Sequence, residues 1–154
     1  ICVGVCGCGK APQVKDPAPP TAAARPAMAT EPGPQDADAP TDFTTTASGL
    51  KYRVLRKGSG PKPTKANQVL ANYKGWIDDE NKPFDSSYER GEPLPCSPAG
   101  GVIKGWMEGL TYVGEGGMIE LEIPPDLGYG KEGFPPVIPP NATLHFIMEV
   151  VQVK

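Results

Sequence analysis

Few side chains in this sequence have the types and spacing that covalent or metal chemistry needs. His145 is the single histidine, and a serine or cysteine triad would have to be built on it. It stands inside an alternating terminal run, where a histidine without a sequence partner reads as a solvated or packing residue. Asp78, Asp79 and Glu80 offer neighbouring carboxylates, but the glycine and terminal glutamate spacing of a calcium loop is missing, so they read as a solvated turn. Cys2, Cys6 and Cys8 have no histidine or fourth cysteine nearby and Cys96 is isolated, so no metal is expected. Gly4 to Lys10 has the glycine and lysine spacing of a phosphate-binding loop, yet Ala11 stands where a magnesium-binding hydroxyl belongs. Gly128-Tyr129-Gly130-Lys131-Glu132-Gly133 fits a dinucleotide fingerprint, but Pro124-Pro125 before it and Pro135-Pro136 after it remove the strand and the helix that the fingerprint requires. No cofactor is expected. Asn141-Ala142-Thr143 is a glycosylation sequon at the start of a strand, where no sugar is expected.

What remains is apolar surface with a few polar groups beside it. Val102-Ile103-Lys104-Gly105-Trp106 puts a wide apolar surface on one short turn of chain, followed by Met107-Glu108-Gly109-Leu110 with helical spacing. The partners that can cover it are Tyr73, Trp76 and Phe84 before it, and Tyr129, Phe134, Val137, Ile138 and Phe146 after it. This reads as a small β domain with an apolar pocket floored by Trp106. On pattern alone Trp106, Phe146 and Tyr73 read first as plain core. Asp85 serves as a turn cap with Ser86 and Ser87, and Tyr129 as a loop residue held by its hydroxyl.

The elements that must position these residues are legible from residue 49 onward. Leu50, Tyr52 and Val54 alternate with Lys51 and Arg53 in a half-buried strand, and Gly58 to Pro63 makes the turn after it. Val69, Ala71, Tyr73 and Gly75 alternate with Leu70, Asn72, Lys74 and Trp76 in a second strand. Ile119, Leu121 and Ile123 share one face of a strand over 118–123. Leu144, Phe146, Met148 and Val150 share a face of a terminal strand over 143–153. Only residues 103–110 read as helix. The sum is α+β, an antiparallel sheet wrapped round one short helix.

Composition separates the rest. The chain has 154 residues, 19 glycines, 20 prolines and a net charge of -3; its lysines and arginines are dispersed, which argues against nucleic-acid binding. Residues 1–42 carry no aromatic residue and a dense scatter of Pro, Ala, Asp, Gln and Thr. Such a stretch buries too little surface to offset the entropy of ordering it, so a disordered tether is expected. Val5-Cys6-Gly7-Cys8 is similar to the end of a bacterial lipoprotein signal, with Cys8 as the residue that would carry lipid. The competing reading is the remnant of another targeting peptide. No long dimerisation helix is read, and a monomer is the default.

Five ordered motifs carry a resemblance: Phe84-Asp85-Ser86-Ser87, Arg90 to Leu94, Val102 to Trp106, Ile123 to Gly130 and Ile138 to Phe146. Together they make residues 48–154 resemble the FKBP-type peptidyl-prolyl cis-trans isomerases, most of all the bacterial extracytoplasmic members. The resemblance implies a half-open antiparallel β-sheet around a short α-helix, with a pocket that takes a proline ring and needs no cofactor or metal. It implies Trp106 as floor, with Tyr73, Phe84, Val102, Ile103 and Phe146 as walls. Asp85, Tyr129 and the Ile103 N–H would be rim groups, and Arg90 would orient Asp85. Residues 124–141 would form a loop over the pocket, carrying Phe134, Val137 and Ile138. The partners implied are proline-containing segments of client proteins, with macrolide inhibitors as a further class, and the membrane is reached only through a lipid on Cys8. The implied location is extracytoplasmic, with an organelle lumen such as the thylakoid as the alternative. A module that holds proline-bearing segments without turnover is the competing function.

The sequence also departs from the family pattern. Leu94 stands where many members have an aromatic wall residue, Gly101 replaces an acidic or polar residue, and the prolines of Pro95-Cys96-Ser97-Pro98 argue against a paired strand before the helix.

Overall fold

The computed structural model describes residues 31–78 and 80–154; Cys8 and most of the expected tether lie outside the described residues. The elements run β1 (Thr44–Thr45), β2 (Lys51–Arg56), β3 (Val69–Trp76), β4 (Asp85–Ser86), α1 (Ser87–Arg90), β5 (Leu94–Cys96), α2 (Lys104–Gly109), β6 (Met118–Ile123) and β7 (Leu144–Val153). Short 3-10 turns follow α2 at Leu110–Tyr112 and β6 at Pro125–Leu127. Every strand pairing is antiparallel, in the order β1-β2-β6-β7-β3-β4, with β5 also on β3.

The period-two pattern of β3, β6 and β7 sorts their side chains onto two faces. Ala71, Tyr73, Ile119, Leu121, Ile123, Leu144, Phe146, Met148 and Val150 form one buried face, and α2 lies against it with Trp106 and Leu110 turned inward. Burying a leucine or isoleucine contributes about 1.5–3 kcal/mol, so this face is the main source of stability. The helix can approach closely because two of its sheet-facing positions, Gly105 and Gly109, lack side chains. A Cβ on Gly105 would stand 2.7 Å from Ile123 Cγ2, and one on Gly109 would stand 2.7 Å from Leu121 Cδ1.

One expectation is corrected here. The two prolines do not abolish the strand before α2: Ala71 pairs with Leu94, Leu70 with Pro95 and Val69 with Cys96. β5 sits at the sheet's edge, where a proline's missing N–H can face away from the ladder at no cost.

The other face of the sheet carries a smaller cluster of Leu55, Trp76, Met118 and Ile147, with Trp76 stacked on His145 at 5.7 Å. Residues 31–43 are fastened across this outer face. Glu31 faces Lys74 at 3.8 Å, the Pro34 carbonyl accepts from Arg56 Nη1 at 3.1 Å, and the Asp36 N–H donates to the Leu55 carbonyl at 2.8 Å. Arg56 in turn pairs with Glu149. Asp36 Oδ2 accepts from the Lys57 N–H, Thr41 accepts from Arg53, and Arg53 lies over the Phe43 ring at 5.0 Å. The stretch from 31 to 42, assigned to the tether by composition, is therefore held as a strap from β3 over β7 to β2.

Candidate functional site

The inner face of the sheet opens at one end into a cleft of about 240 Å³, lined by Tyr73, Phe84, Asp85, Leu94, Gly101, Val102, Ile103, Trp106, Tyr129 and Phe146. Its floor is Trp106, placed in the first turn of α2 after Ile103, whose carbonyl accepts from the Trp106 and Met107 amides at 3.0 and 3.2 Å. As the residue that caps α2, Ile103 keeps its own N–H outside the helix's hydrogen-bond ladder. Two rings stand edge-on to the indole, Tyr73 at 4.8 Å and Phe146 at 5.1 Å. Phe84 meets Phe146 edge-on at 5.6 Å. Such edge-to-face pairs fix ring orientation as well as burying area.

Gly75 makes this ring cage fit. It pairs with Phe146 across β3 and β7, and a Cβ there would lie 2.4 Å from Phe146 Cε1 and 3.0 Å from Phe84 Cζ. Sequence reasoning placed Gly75 on the strand without a role. The signal was a glycine on the apolar face of a strand, which marks close approach by a neighbour.

One polar group of the rim is assembled by α1. Ser87 is fully buried; its Oγ accepts from the Tyr73 N–H at 2.8 Å and donates to Asn72 Oδ1 at 3.0 Å, which pins the start of α1 to β3. Gly91, at φ +71°, ends the helix after one turn. Arg90 then pairs with Asp85 Oδ1 and donates from Nη2 to the Tyr73 hydroxyl at 2.5 Å, while that hydroxyl donates to Asp85 Oδ2 at 2.5 Å. Burial first, and then the bond to Asp85, push the Tyr73 hydroxyl up to about 12. The Tyr73 bond is also the main cause of a raised Arg90. The phenol therefore stays protonated and the guanidinium charged, and the carboxylate is held from two sides.

Across the cleft, Tyr129 follows the turn at Pro125–Leu127, with the Gly128 and Gly130 amides both donating to the Pro125 carbonyl at 3.0 and 2.8 Å. Its ring is 39% exposed and leans on Phe134 at 5.7 Å. Phe134, Val137 and Ile138, expected over the pocket, do not line it. Phe134 and Ile138 bridge each other and close a tight turn, which leaves Phe134 60% and Val137 46% exposed and drives Ile138 into the core. Their apolar type identified the loop; the direction of each side chain was set by the turn.

The Trp106 Nε1 is buried without an acceptor among the described residues. None of the cleft's lining residues is a serine, cysteine, histidine or lysine. The arrangement is suited to taking in a small apolar ring, stripping water from the groups next to it, and offering polar contacts at the rim.

The family model for FKBP-type peptidyl-prolyl cis-trans isomerases matches residues 60–151. The FKBP-type peptidyl-prolyl cis-trans isomerase FkpA of Escherichia coli is 50% identical over 110 residues, which cover 71% of this chain and 40% of that protein. FK506-binding protein 1 of Gibberella zeae is 40% identical over 109 residues, covering 68% of this chain and 98% of that protein. The crystal structure of FkpA from Escherichia coli superposes with a TM-score of 0.69 at 47% identity, over 75% of this chain and 53% of that one. The chain thus spans less than half the length of the bacterial FkpA sequence and nearly all of the fungal one.

Proposed function

The chain belongs to the FKBP-type peptidyl-prolyl cis-trans isomerase family, and from that premise we propose that it accelerates rotation about X-Pro bonds in exposed segments of client proteins. The observation that carries this reading is the open cleft over the Trp106 indole, walled by edge-on rings.

The reaction breaks no covalent bond. Rotation about an X-Pro amide loses resonance and takes tens to hundreds of seconds unaided. A catalyst needs only to bind the twisted form more tightly than the planar one, and each ~1.4 kcal/mol of that preference is tenfold in rate. The planar amide is the more dipolar of the two, so an apolar cleft that removes water from its carbonyl favours the twisted form. The proline ring rests on Trp106 between Tyr73, Phe84 and Phe146. The Tyr129 hydroxyl and the Ile103 N–H hold the backbone on either side of it, and Asp85, oriented by Tyr73 and Arg90, faces the rotating amide. Phe134, exposed beside Tyr129, and Val137, exposed on the same turn, meet client chain beyond the ring.

A protease-coupled assay on a short proline peptide tests this. The chain should accelerate the slow phase, and Asp85→Ala and Tyr129→Ala should each lower kcat/KM by about tenfold or more. A wild-type rate at background, matched by both variants, refutes isomerase activity and leaves binding without turnover.

The Pro- and Ala-rich opening and the Val5-Cys6-Gly7-Cys8 stretch support a location outside the cytoplasm, with Cys8 carrying the lipid; a monomer is the default. The intact mass of the membrane-associated protein decides the lipid. Macrolide inhibitors are expected to bind weakly, because Leu94 and Gly101 leave the wall between them less enclosed.

A further inference from the structure

We propose that the Tyr88 hydroxyl is a positioning group for the reaction: by fastening one side of α1 to Glu149, it sets where Arg90, on the other side, meets Asp85 and Tyr73. The inference rests on the isomerase reading above. α1 is a single turn, Ser87–Arg90, with Ser87 and Tyr88 buried. So short a helix does not hold its own orientation and depends on what it is tied to. Two ties act at its start, the pairing of Ser86 with Lys74 and the Ser87 Oγ bond to the Tyr73 N–H. Arg90 stands at its other end, and its side chain is 47% exposed, so packing does not fix the guanidinium. Its place depends on how the turn of helix beneath it is rotated. Tyr88 fixes that rotation, because its hydroxyl donates to Glu149 Oε2 on β7 at 3.1 Å. Residues two apart lie about 200° apart round a helix, so the bond at Tyr88 acts from the side opposite Arg90.

The acceptor is itself held firmly. Glu149 uses both carboxylate oxygens, Oε2 for Tyr88 and Oε1 for Arg56, and charge-assisted bonds of this kind are the strong ones. Arg56 in turn donates from Nε to the Gly116 carbonyl at 2.9 Å. That bond anchors the far end whether or not the Pro34 carbonyl of the strap accepts from Nη1. In the strand order β2-β6-β7-β3 the three side chains reach from β2 to the helix beyond β3. Packing alone does not call for the hydroxyl. Tyr88 is 5% exposed, and a phenylalanine would fill the same space without burying a polar group. Burial first, and then the Glu149 charge, keep the proton on Tyr88, so the hydroxyl is a donor at neutral pH.

Tyr88→Phe keeps the ring and removes only the hydroxyl. At a temperature where every variant is folded, it should lower kcat/KM for a proline peptide by about three- to tenfold, the range for a residue that acts on a site without touching it. In an Arg90→Ala background the same substitution should change nothing further, because the group it positions is gone. A loss through general weakening of the fold would instead multiply in both backgrounds. The Arg90 guanidinium gives a readout free of turnover. Its Nη signals in NMR should be resolved in wild type, where Asp85 and Tyr73 hold them, and should merge in Tyr88→Phe as free rotation returns. An unchanged kcat/KM in Tyr88→Phe, an equal loss in both backgrounds, or Arg90 signals that do not differ from wild type would overturn the positioning role and leave the isomerase reading intact. Failure of wild type to accelerate the peptide at all would remove the reading on which it rests.

Discussion

Gly75 lies directly under Phe146, so close that a single added methyl would sit 2.4 Å from the ring. The contact belongs to the β3 and β7 ladder, where the two residues are paired. Retreat along the sheet is hindered, since Trp106 stands edge-on to the ring at 5.1 Å and Phe84 at 5.6 Å, and a shift the other way moves it into the cleft. Gly75→Ala should therefore cost about 1–3 kcal/mol, the range for overpacking a filled core. It should also lower kcat/KM more than a loss of stability alone explains. Urea unfolding together with peptide isomerisation at a temperature where the variant is fully folded checks both; an unchanged kcat/KM would show that the ring cage is not part of the catalytic surface.

The two tryptophans occupy opposite faces of the sheet, which makes them separable probes. Trp106 floors the cleft, and Trp76 stacks on His145 on the outer face. In a Trp76→Phe variant, the remaining emission should change in intensity and wavelength as a proline peptide is added. In Trp106→Phe the emission of Trp76 should stay constant over the same titration. Trp106→Ala should lose most activity and about 3–5 kcal/mol of stability, read by the same assay and by unfolding.

Alkaline pH should weaken the fold through Tyr73. Its hydroxyl titrates near 12 in the folded chain against an ordinary value of 10.0, so the folded state holds this proton more tightly than the unfolded chain does. The resulting stabilisation is complete below pH 10 and is lost as pH rises through 12. Tyr88 acts in the same direction, raised by burial and by Glu149, to which its hydroxyl donates at 3.1 Å. The unfolding free energy should fall between pH 10 and 12, and Tyr73→Phe and Tyr88→Phe should each flatten that fall. A profile with the same slope in both variants would mean that other groups govern the transition.

The strap over the outer face should count towards stability and not towards turnover. A chain beginning at residue 44 loses the Asp36 to Leu55 amide bond, the Pro34 to Arg56 contact and the Glu31 to Lys74 pair. Compared with a chain beginning at residue 31, it should be less stable by on the order of 2–4 kcal/mol, because the contacts are partly solvated and each contributes little. Thermal unfolding measures that difference. At temperatures well below both transitions the two chains should isomerise a peptide at equal rates, since Tyr73 and Phe146 point away from the strap.

The long elements were readable because each repeats one signal several times. β3, β6 and β7 alternate over six residues or more, and Trp106 and Leu110 recur at helical spacing, so their inward faces followed from periodicity. β4, β5 and α1 span two to four residues, too few for any period, and they form because β3 offers them an edge. Pro95 misled for this reason: a proline excludes a central strand, and β5 is an edge strand. Phe134, Val137 and Ile138 carried the right chemistry for a pocket, but the bridge between Phe134 and Ile138 decided which side chain turned inward. The strap was hidden because its hold is electrostatic and backbone-mediated, which hydrophobicity does not register. Within the cleft, the lining side chains were legible and Gly75 was not, since its effect depends on a cross-strand register.

The strap runs across the strands rather than along one of them, from Lys74 on β3 past Glu149 on β7 to Lys57 beyond β2. A pull on the chain upstream of Glu31 thus meets the strap's contacts one after another, Lys74 first and then Arg56, Leu55 and Lys57, before it reaches the edge strand β1. The load also arrives behind the sheet, while the cleft opens in front of it. The described chain thus begins on the side of the sheet away from the cleft mouth.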